Sequence, residues 1–151
     1  MTKENLKSLF TEYWHYLAVC AACRLELFDK IEQGQNTIEK LVHTNQWNFR
    51  YTQILLHFLQ KENYVIIDAQ NHLCLTEKGH LLRKNHSEGL YYACLNWSEE
   101  HLEAWKNLDY TIKTGKSAFE NLYKKPYFEY LEEHPEKSAA YHQAMYQYAI
   151  D

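Results

Sequence analysis

Cys20 and Cys23 stand in the stretch CAAC, and CxxC is the spacing with which two thiolates grip one side of a zinc ion. A tetrahedral site needs a second pair at suitable separation. The remaining cysteines, Cys74 and Cys94, form no second CxxC, and CAAC itself falls inside a helical pattern. All four therefore read as buried, reduced structural thiols, and no metal ligand is assigned. For proton transfer the chain offers 9 histidines and 20 acidic residues, but none lies in an HExxH, GxSxG or phosphate-loop spacing. The 4 glycines are scattered. No GxGxxG turn brings backbone against a dinucleotide or nucleotide-like cofactor. On these grounds the chain carries no catalytic residue and no cofactor-binding residue of its own. What it has in excess is rings: 13 Tyr, 6 Phe and 4 Trp, enough for a core, an interface or an aromatic-lined pocket.

Charge narrows the partners. The net charge of −4 disfavours nonspecific contact with nucleic acid or an acidic membrane. Residues 35–84 carry six basic against four acidic side chains, and residues 85–151 carry six against eleven. Phosphate neutralisation supplies most nonspecific DNA affinity, and this surface offers little of it. The start, MTKENLKSLF, has no long apolar run, so no signal peptide or membrane span is expected. With four unpaired cysteines that predicts a cytoplasmic protein.

The elements that must position these residues are mostly helices. At 151 residues one domain over 1–151 is expected. In residues 1–34 a first helix from about Glu4 to Leu25 carries two apolar stripes. One contains Leu6, Leu9, Phe10, Tyr13, Leu17 and Cys20; the other contains Trp14, Ala18, Ala21 and Leu25. Two stripes imply burial from two sides, by a partner chain or as the central helix of a single core. LFDKIEQG then reads as a short helix stopped at Gly34.

Residues 35–85 read as a winged helix-turn-helix. NTIEKLVHTN is a short helix capped by Asn36 or Thr37. NQWNFRYTQILLHFLQKEN is a longer one with a core face of Phe49, Ile54, Leu55, Phe58 and Leu59. YVIID and HLCLT form a hairpin around AQN, and Thr76 caps the next helix. The polar residues of the second helix are Asn48, Arg50, Gln53, His57 and Lys61.

Residues 86–151 are helical. WSEEHLEAWKNLDYTIKTG predicts one helix with Trp97, His101, Trp105, Leu108 and Ile112 on a face, ending at Gly115. PYFEYLEEHP holds both prolines of the chain. Pro126 opens a short helix and Pro135 makes the next start afresh. The last helix places Ala140, Tyr141, Ala144, Met145 and Tyr148 on one face and reaches the end without a cap, as if cut from a longer chain.

Four stretches in this order resemble the N-terminal dimerisation domain of S-adenosylmethionine-dependent O-methyltransferases, of the plant caffeate and hydroxyindole type and their bacterial antibiotic-pathway relatives. They are ELFDKI, RYTQILLHFLQKENYVIID with HLCLTEKGHLL, EHLEAWKNLDYTIKTGKSAFENLY, and PYFEYLEEHPEKSAAYHQAM. The resemblance implies a mainly α dimerisation domain, a winged helix with a small β-hairpin and extra helices at both ends. It implies a homodimer through residues 1–34 and an acceptor pocket lined from residues 86–151. It also implies a separate C-terminal Rossmann-like lobe for S-adenosylmethionine and the general-base histidine, neither of which this sequence contains.

By motif, the substrate-lining positions fall on Leu95, Asn96, Tyr127, Leu131, Tyr141 and Met145, with Tyr13 and Trp14 reaching a partner's pocket. Leu131 and Lys137 stand where plant relatives more often have a polar and an aromatic residue, which implies a different acceptor. PYFEYLEEHP would be one wall for a small aromatic or polyketide-like hydroxyl acceptor, with Asn96 fixing a substrate oxygen. The same rings would also serve as plain interdomain or dimer packing. The rival readings are a winged-helix DNA-binding transcription regulator and a catalytically dead dimerising paralogue.

Overall fold

The computed structural model describes residues 2–150. It is mainly α with one two-stranded antiparallel sheet, and its contacts divide it into two compact units, Met1–Tyr91 and Tyr92–Asp151.

In the first unit, α1 (Lys3–Arg24) starts behind Thr2, whose hydroxyl accepts from the Asn5 N–H. Only its C-terminal half is buried, through Val19, Cys20, Ala22 and Cys23. These residues face α2 (Leu27–Glu32), whose Leu27, Phe28 and Ile31 are buried as well. Gly34 ends that turn at φ 96°, a left-handed position that suits glycine. The helix-turn-helix is α3 (Ile38–Asn45) and α4 (Phe49–Lys61). Thr37 accepts from Lys40 N–H at 3.2 Å and Asn48 from Tyr51 N–H at 3.1 Å, so each helix has an orphan donor satisfied by the residue just before it.

The wing is β1 (Val65–Ile67) against β2 (Leu73–Leu75), with Val65 opposite Leu75 and Ile67 opposite Leu73. Its turn is fixed by Asp68, which accepts from the N–H groups of Gln70 and His72, both at 2.8 Å, and by Asn71 at φ 62°. α5 (Glu77–His80) follows, capped by Thr76. The core joins α2 to Leu41, Leu56, Leu59, Val65 and Leu73.

Two expectations are corrected. The buried face of α4 is Thr52, Leu56 and Leu59, whereas Phe49 and Ile54 are exposed. Thr52 tolerates burial because its hydroxyl donates to the Asn48 carbonyl at 2.8 Å. Nor are all four thiols buried: Cys20 and Cys23 are, but strand alternation turns Cys74 outward.

The second unit is built from short helices. α6 (Tyr91–Asn96) begins at the unit boundary. The expected continuous helix up to Gly115 is instead α7 (Glu100–Lys106) and α8 (Leu108–Thr114). The break is at Asn107 (φ −107°, ψ 24°), whose side-chain amide donates back to the Glu103 carbonyl at 2.8 Å. Asparagine competes in this way with the helical ladder. α9 (Ala118–Tyr123) is capped by Ser117. Both prolines act as expected: Pro126 is the N-cap of α10 (Tyr127–Glu132), and Pro135 is the first residue of α11 (Pro135–Ala149).

One position in the wing admits no side chain. A Cβ on Gly79 would lie 2.1 Å from the Tyr64 carbonyl oxygen. Gly79→Ala must therefore move α5 off the strand. It is expected to lower the stability of the chain by about 1–3 kcal/mol, the usual cost of overpacking, as read by urea unfolding.

Candidate functional site

Phe119 organises the second unit. With Tyr130 and Leu131 it forms a buried cluster, against which Ala104, Tyr123, Tyr127 and Tyr141 pack. Its ring meets Tyr127 at 5.1 Å and Tyr130 at 5.5 Å, both edge-on, and Tyr123 at 4.6 Å. Edge-to-face contact aims the positive rim of one ring at the negative face of the next. Tyr127 reaches on to Tyr141 at 5.5 Å and to His101 at 4.7 Å, and His101 meets Trp97 at 4.7 Å. Beside this chain of rings opens a cleft of about 290 Å³. Its walls come from α7, α8, α9 and α10, chiefly His101, Trp105, Leu108, Phe119 and Tyr127.

A polar network joins the Phe119 cluster through Tyr130. The Tyr130 hydroxyl donates to Glu100 Oε1 at 2.9 Å. Lys137 pairs with Glu100 and, at 3.0 Å, with Glu99. Burial by itself pushes the Glu100 carboxyl up, but the bonds from Lys137, a backbone N–H and Tyr130 outweigh it and hold it below the usual range. Burial likewise pulls Lys137 down, and its two carboxylates outweigh that and raise it. Burial, with help from Tyr141 and Glu100, pushes the Tyr127 phenol up to about 12. Tyr130 also rises to about 12, through burial and its bond to Glu100. Both stay protonated at neutral pH.

His101 is pushed the other way. Burial lowers its pKa against an opposing pull from Glu100, which favours the uncharged imidazole. Its Nε2 is buried and has no hydrogen-bond partner. The side-chain amide nitrogen of Asn96 is in the same condition. Leaving such a group unpaired costs about 1–3 kcal/mol, so each marks a place where a partner would be gained.

The residues singled out by motif are scattered unevenly. Tyr127, Leu131 and Tyr141 come together in the Phe119 cluster, and of these Tyr127 lines the cleft. Leu95 and Asn96 are half-buried at the end of α6, and Met145 is half-buried on α11. Tyr13 and Trp14 are 51% and 60% exposed on α1, beside exposed Leu6, Leu9 and Phe10. The cleft itself rests largely on residues the sequence offered only as a helix face, His101, Trp105 and Leu108, or not at all, Thr111, Ser117 and Ala118. The helical spacing of Trp97, His101 and Trp105 was the available signal.

The residues present do not fit the methyl donor. The only sheet among the described residues is the antiparallel β1–β2 pair. Gly34 and Gly115 end helices, and Gly79 packs against Tyr64. None of these opens a helix after a parallel strand, as a nucleotide-type cradle requires. Among the described residues no cluster of histidine, cysteine and carboxylate groups could hold a metal, and no helix is long and apolar enough to cross a membrane.

No family model matches the chain. It is 28% identical over 142 residues to the 3-amino-4-hydroxybenzoate 4-O-methyltransferase of Streptomyces cremeus, covering 93% of this chain and 39% of the relative. To the phenazine O-methyltransferase PhzM of Lysobacter antibioticus it is 23% identical, over 92% of this chain and 41% of the relative. The solved structure of the pyocyanin biosynthetic protein PhzM matches with a TM-score of 0.85 at 25% identity, over 94% of this chain and 43% of that one. The chain thus spans about two fifths of the length of the curated relatives it matches.

The network around Glu100 makes the unit sensitive to acid. A carboxyl whose folded pKa is depressed contributes stability above its unfolded value, here 4.5, and loses it as pH falls through the lower folded value. Glu100→Gln is expected to cost about 1–2 kcal/mol at pH 7 and to flatten the loss of stability between about pH 5 and pH 3. Thermal melts across that range check both. An unchanged slope would assign the acid sensitivity to other groups.

Proposed function

We propose a function on the premise that this chain matches, in sequence and in fold, the N-terminal domain of the S-adenosylmethionine-dependent O-methyltransferases. In this reading it is the dimerisation and acceptor-lining domain of an enzyme that methylates the hydroxyl of an aromatic or polyketide-like compound. Its partners are a second copy of itself, a C-terminal methyltransferase lobe that holds the donor, and the small aromatic acceptor. It works without nucleic acid or membrane, in the cytoplasm.

The observation that carries this reading is the match over more than nine tenths of the chain to enzymes named for O-methylation of aromatic rings. The cleft supports it. Flat acceptors stack on ring faces and edges, and Trp105, Phe119 and Tyr127 offer them without any fixed charge of their own. Leu95, Asn96, Tyr127, Leu131, Tyr141 and Met145 are the proposed acceptor-lining set, in which the Asn96 amide, buried and unpaired in the chain alone, would donate to a substrate oxygen. Chemically the domain supplies position and dryness, because no group in it is set up to take the hydroxyl proton.

Dimerisation draws on α1. Leu6, Leu9, Phe10, Tyr13 and Trp14 are all exposed along its N-terminal half, a run of apolar surface that its own unit leaves uncovered. In the proposed dimer this surface meets the partner, and Tyr13 and Trp14 reach the partner's pocket. The DNA-binding regulator is not favoured. The relatives are methyltransferases, and α4 turns Phe49, Tyr51 and Ile54 outward where a groove-reading helix would carry basic residues.

Two measurements test the reading. In the intact methyltransferase, Tyr127→Ala and Met145→Ala are each expected to raise the acceptor KM about tenfold while leaving the donor KM unchanged. An unchanged acceptor KM and kcat would remove these positions from the pocket. Sedimentation equilibrium of the chain at micromolar concentration is expected to give a dimer, and Phe10→Glu a monomer. A wild-type monomer would end the dimerisation proposal.

A further inference from the structure

Among its lining residues, the cleft in the second unit has one buried polar atom without a hydrogen-bond partner. Thr111 Oγ1 already accepts from the Ala118 N–H at 3.1 Å, and Ser117 Oγ accepts from the Glu120 N–H at 3.2 Å. Both hydroxyls therefore already accept a backbone bond at the start of α9. The His101 ring lines the same cleft, and its Nε2 is buried with no partner. Trp97 and Tyr127 flank the imidazole, each 4.7 Å away, so the ring is held in place rather than free to swing out to water.

We propose that His101 Nε2 hydrogen-bonds the hydroxyl or carbonyl oxygen of an uncharged, flat aromatic ligand of one to three rings seated against Trp105, Leu108, Phe119 and Tyr127. His101 is then the residue that orients and selects the ligand. This rests on the reading of the domain as one that lines an acceptor pocket, and it adds the chemical class and the anchoring atom.

Size, surface and charge each limit the ligand. A cleft of about 290 Å³ sits at the small end of ligand sites, too small for a dinucleotide. The walls are ring faces and aliphatic carbons, which reward flat apolar area. Charge selects against anions. Among the cleft-lining residues there is no lysine or arginine. The nearest carboxylate acting on His101 is Glu100. The lysine that pairs with Glu100 is Lys137, already shared with Glu99. A carboxylate ligand would meet a neutral imidazole and a negative neighbour. A phenol or quinone oxygen would instead satisfy Nε2, whichever tautomer the imidazole adopts, because a hydroxyl both donates and accepts. An analogue lacking the oxygen would leave that nitrogen buried and unpaired.

The test is equilibrium dialysis of the 151-residue chain at pH 7.5 against 2-naphthol, naphthalene and 2-naphthoate. The chain is expected to bind 2-naphthol about tenfold tighter than naphthalene, the worth of one hydrogen bond, and to bind 2-naphthoate more weakly than 2-naphthol. His101→Phe keeps a ring between Trp97 and Tyr127 and removes both nitrogens, so it should erase the preference for the naphthol while retaining naphthalene. His101→Leu gives the same readout should the larger ring distort the cleft, and His101→Gln, which keeps an N–H, should restore part of the preference. A naphthol preference that survives both His101→Phe and His101→Leu overturns the proposal. So does 2-naphthoate binding as tightly as 2-naphthol, or a wild-type chain that does not distinguish naphthol from naphthalene. The dialysis involves no methyl transfer. A preserved preference in a protein without methyltransferase activity would therefore sink the enzymatic reading alone, and methyl transfer with an unaltered preference in the variants would sink this one alone.

Discussion

Helices of six or seven residues do not persist in water by themselves. Fixing the first turn costs more than its one hydrogen bond returns, and a helix this short never recovers the difference. Yet α6, α9 and α10 have six residues each, and α7 and α8 have seven. What keeps α7, α9 and α10 is the packing of rings around Phe119, which draws them and α11 onto one cluster. The rest of the second unit depends on that cluster. It fixes where Tyr127 and His101 stand, it leaves the cleft between Trp105 and Tyr127, and it buries the Glu100–Tyr130–Lys137 network behind them. Aromatic abundance in this chain is thus a substitute for helix length.

The first unit solves the opposite problem. α1 has 22 residues, and its N-terminal half has nothing within the unit to cover its apolar side chains. The interaction that anchors the other half is local: Cys20 and Cys23 are buried as small hydrophobes where α1 meets α2. CxxC spacing on a helix puts both sulfurs on one inward face, which serves packing as well as it would serve a metal. The winged module beyond has the outline of a DNA reader without its charge, since its second helix turns phenyl, phenol and isoleucine side chains to the outside.

Much of this was legible before any coordinates. Caps and stops depend on chemistry confined to a few neighbouring residues, so Thr37 (one of two candidates) and Thr76 as caps, Gly34 and Gly115 as ends, and the roles of both prolines could be read directly. The break at Asn107 could not. Apolar spacing runs from Trp97 to Ile112 as if the helix were continuous, and only the backbone shows that Asn107 folds its amide onto Glu103. The core face of α4 was displaced for a similar reason. A threonine occupied a buried place because it could satisfy its own hydroxyl on the previous turn, and Phe49 was released to the surface. His101 was visible as a member of a helix face but not as a site. A lone histidine has no spacing to betray it. Its interest lies in burial and an unpaired nitrogen, which are properties of packing.

That distinction bears on what the domain, in the reading proposed above, would contribute to a reaction whose donor it does not hold. A proton acceptor for a phenol must stand on the line of the reacting bond, beside the donor methyl. His101 stands instead among rings packed on Phe119, with its Nε2 buried and its pKa lowered by burial. A neutral imidazole in that setting orients better than it titrates, because it offers one directed bond and no field. In the proposed reading the rate advantage is geometric: the imidazole would reduce the number of ways an aromatic can lie in the cleft, and so raise the fraction held with its hydroxyl in line. The same rigidity explains why selection falls on shape and on one oxygen rather than on charge. Three charged groups of this unit, Glu99, Glu100 and Lys137, are spent on each other, and they tie the start of α7 to α11.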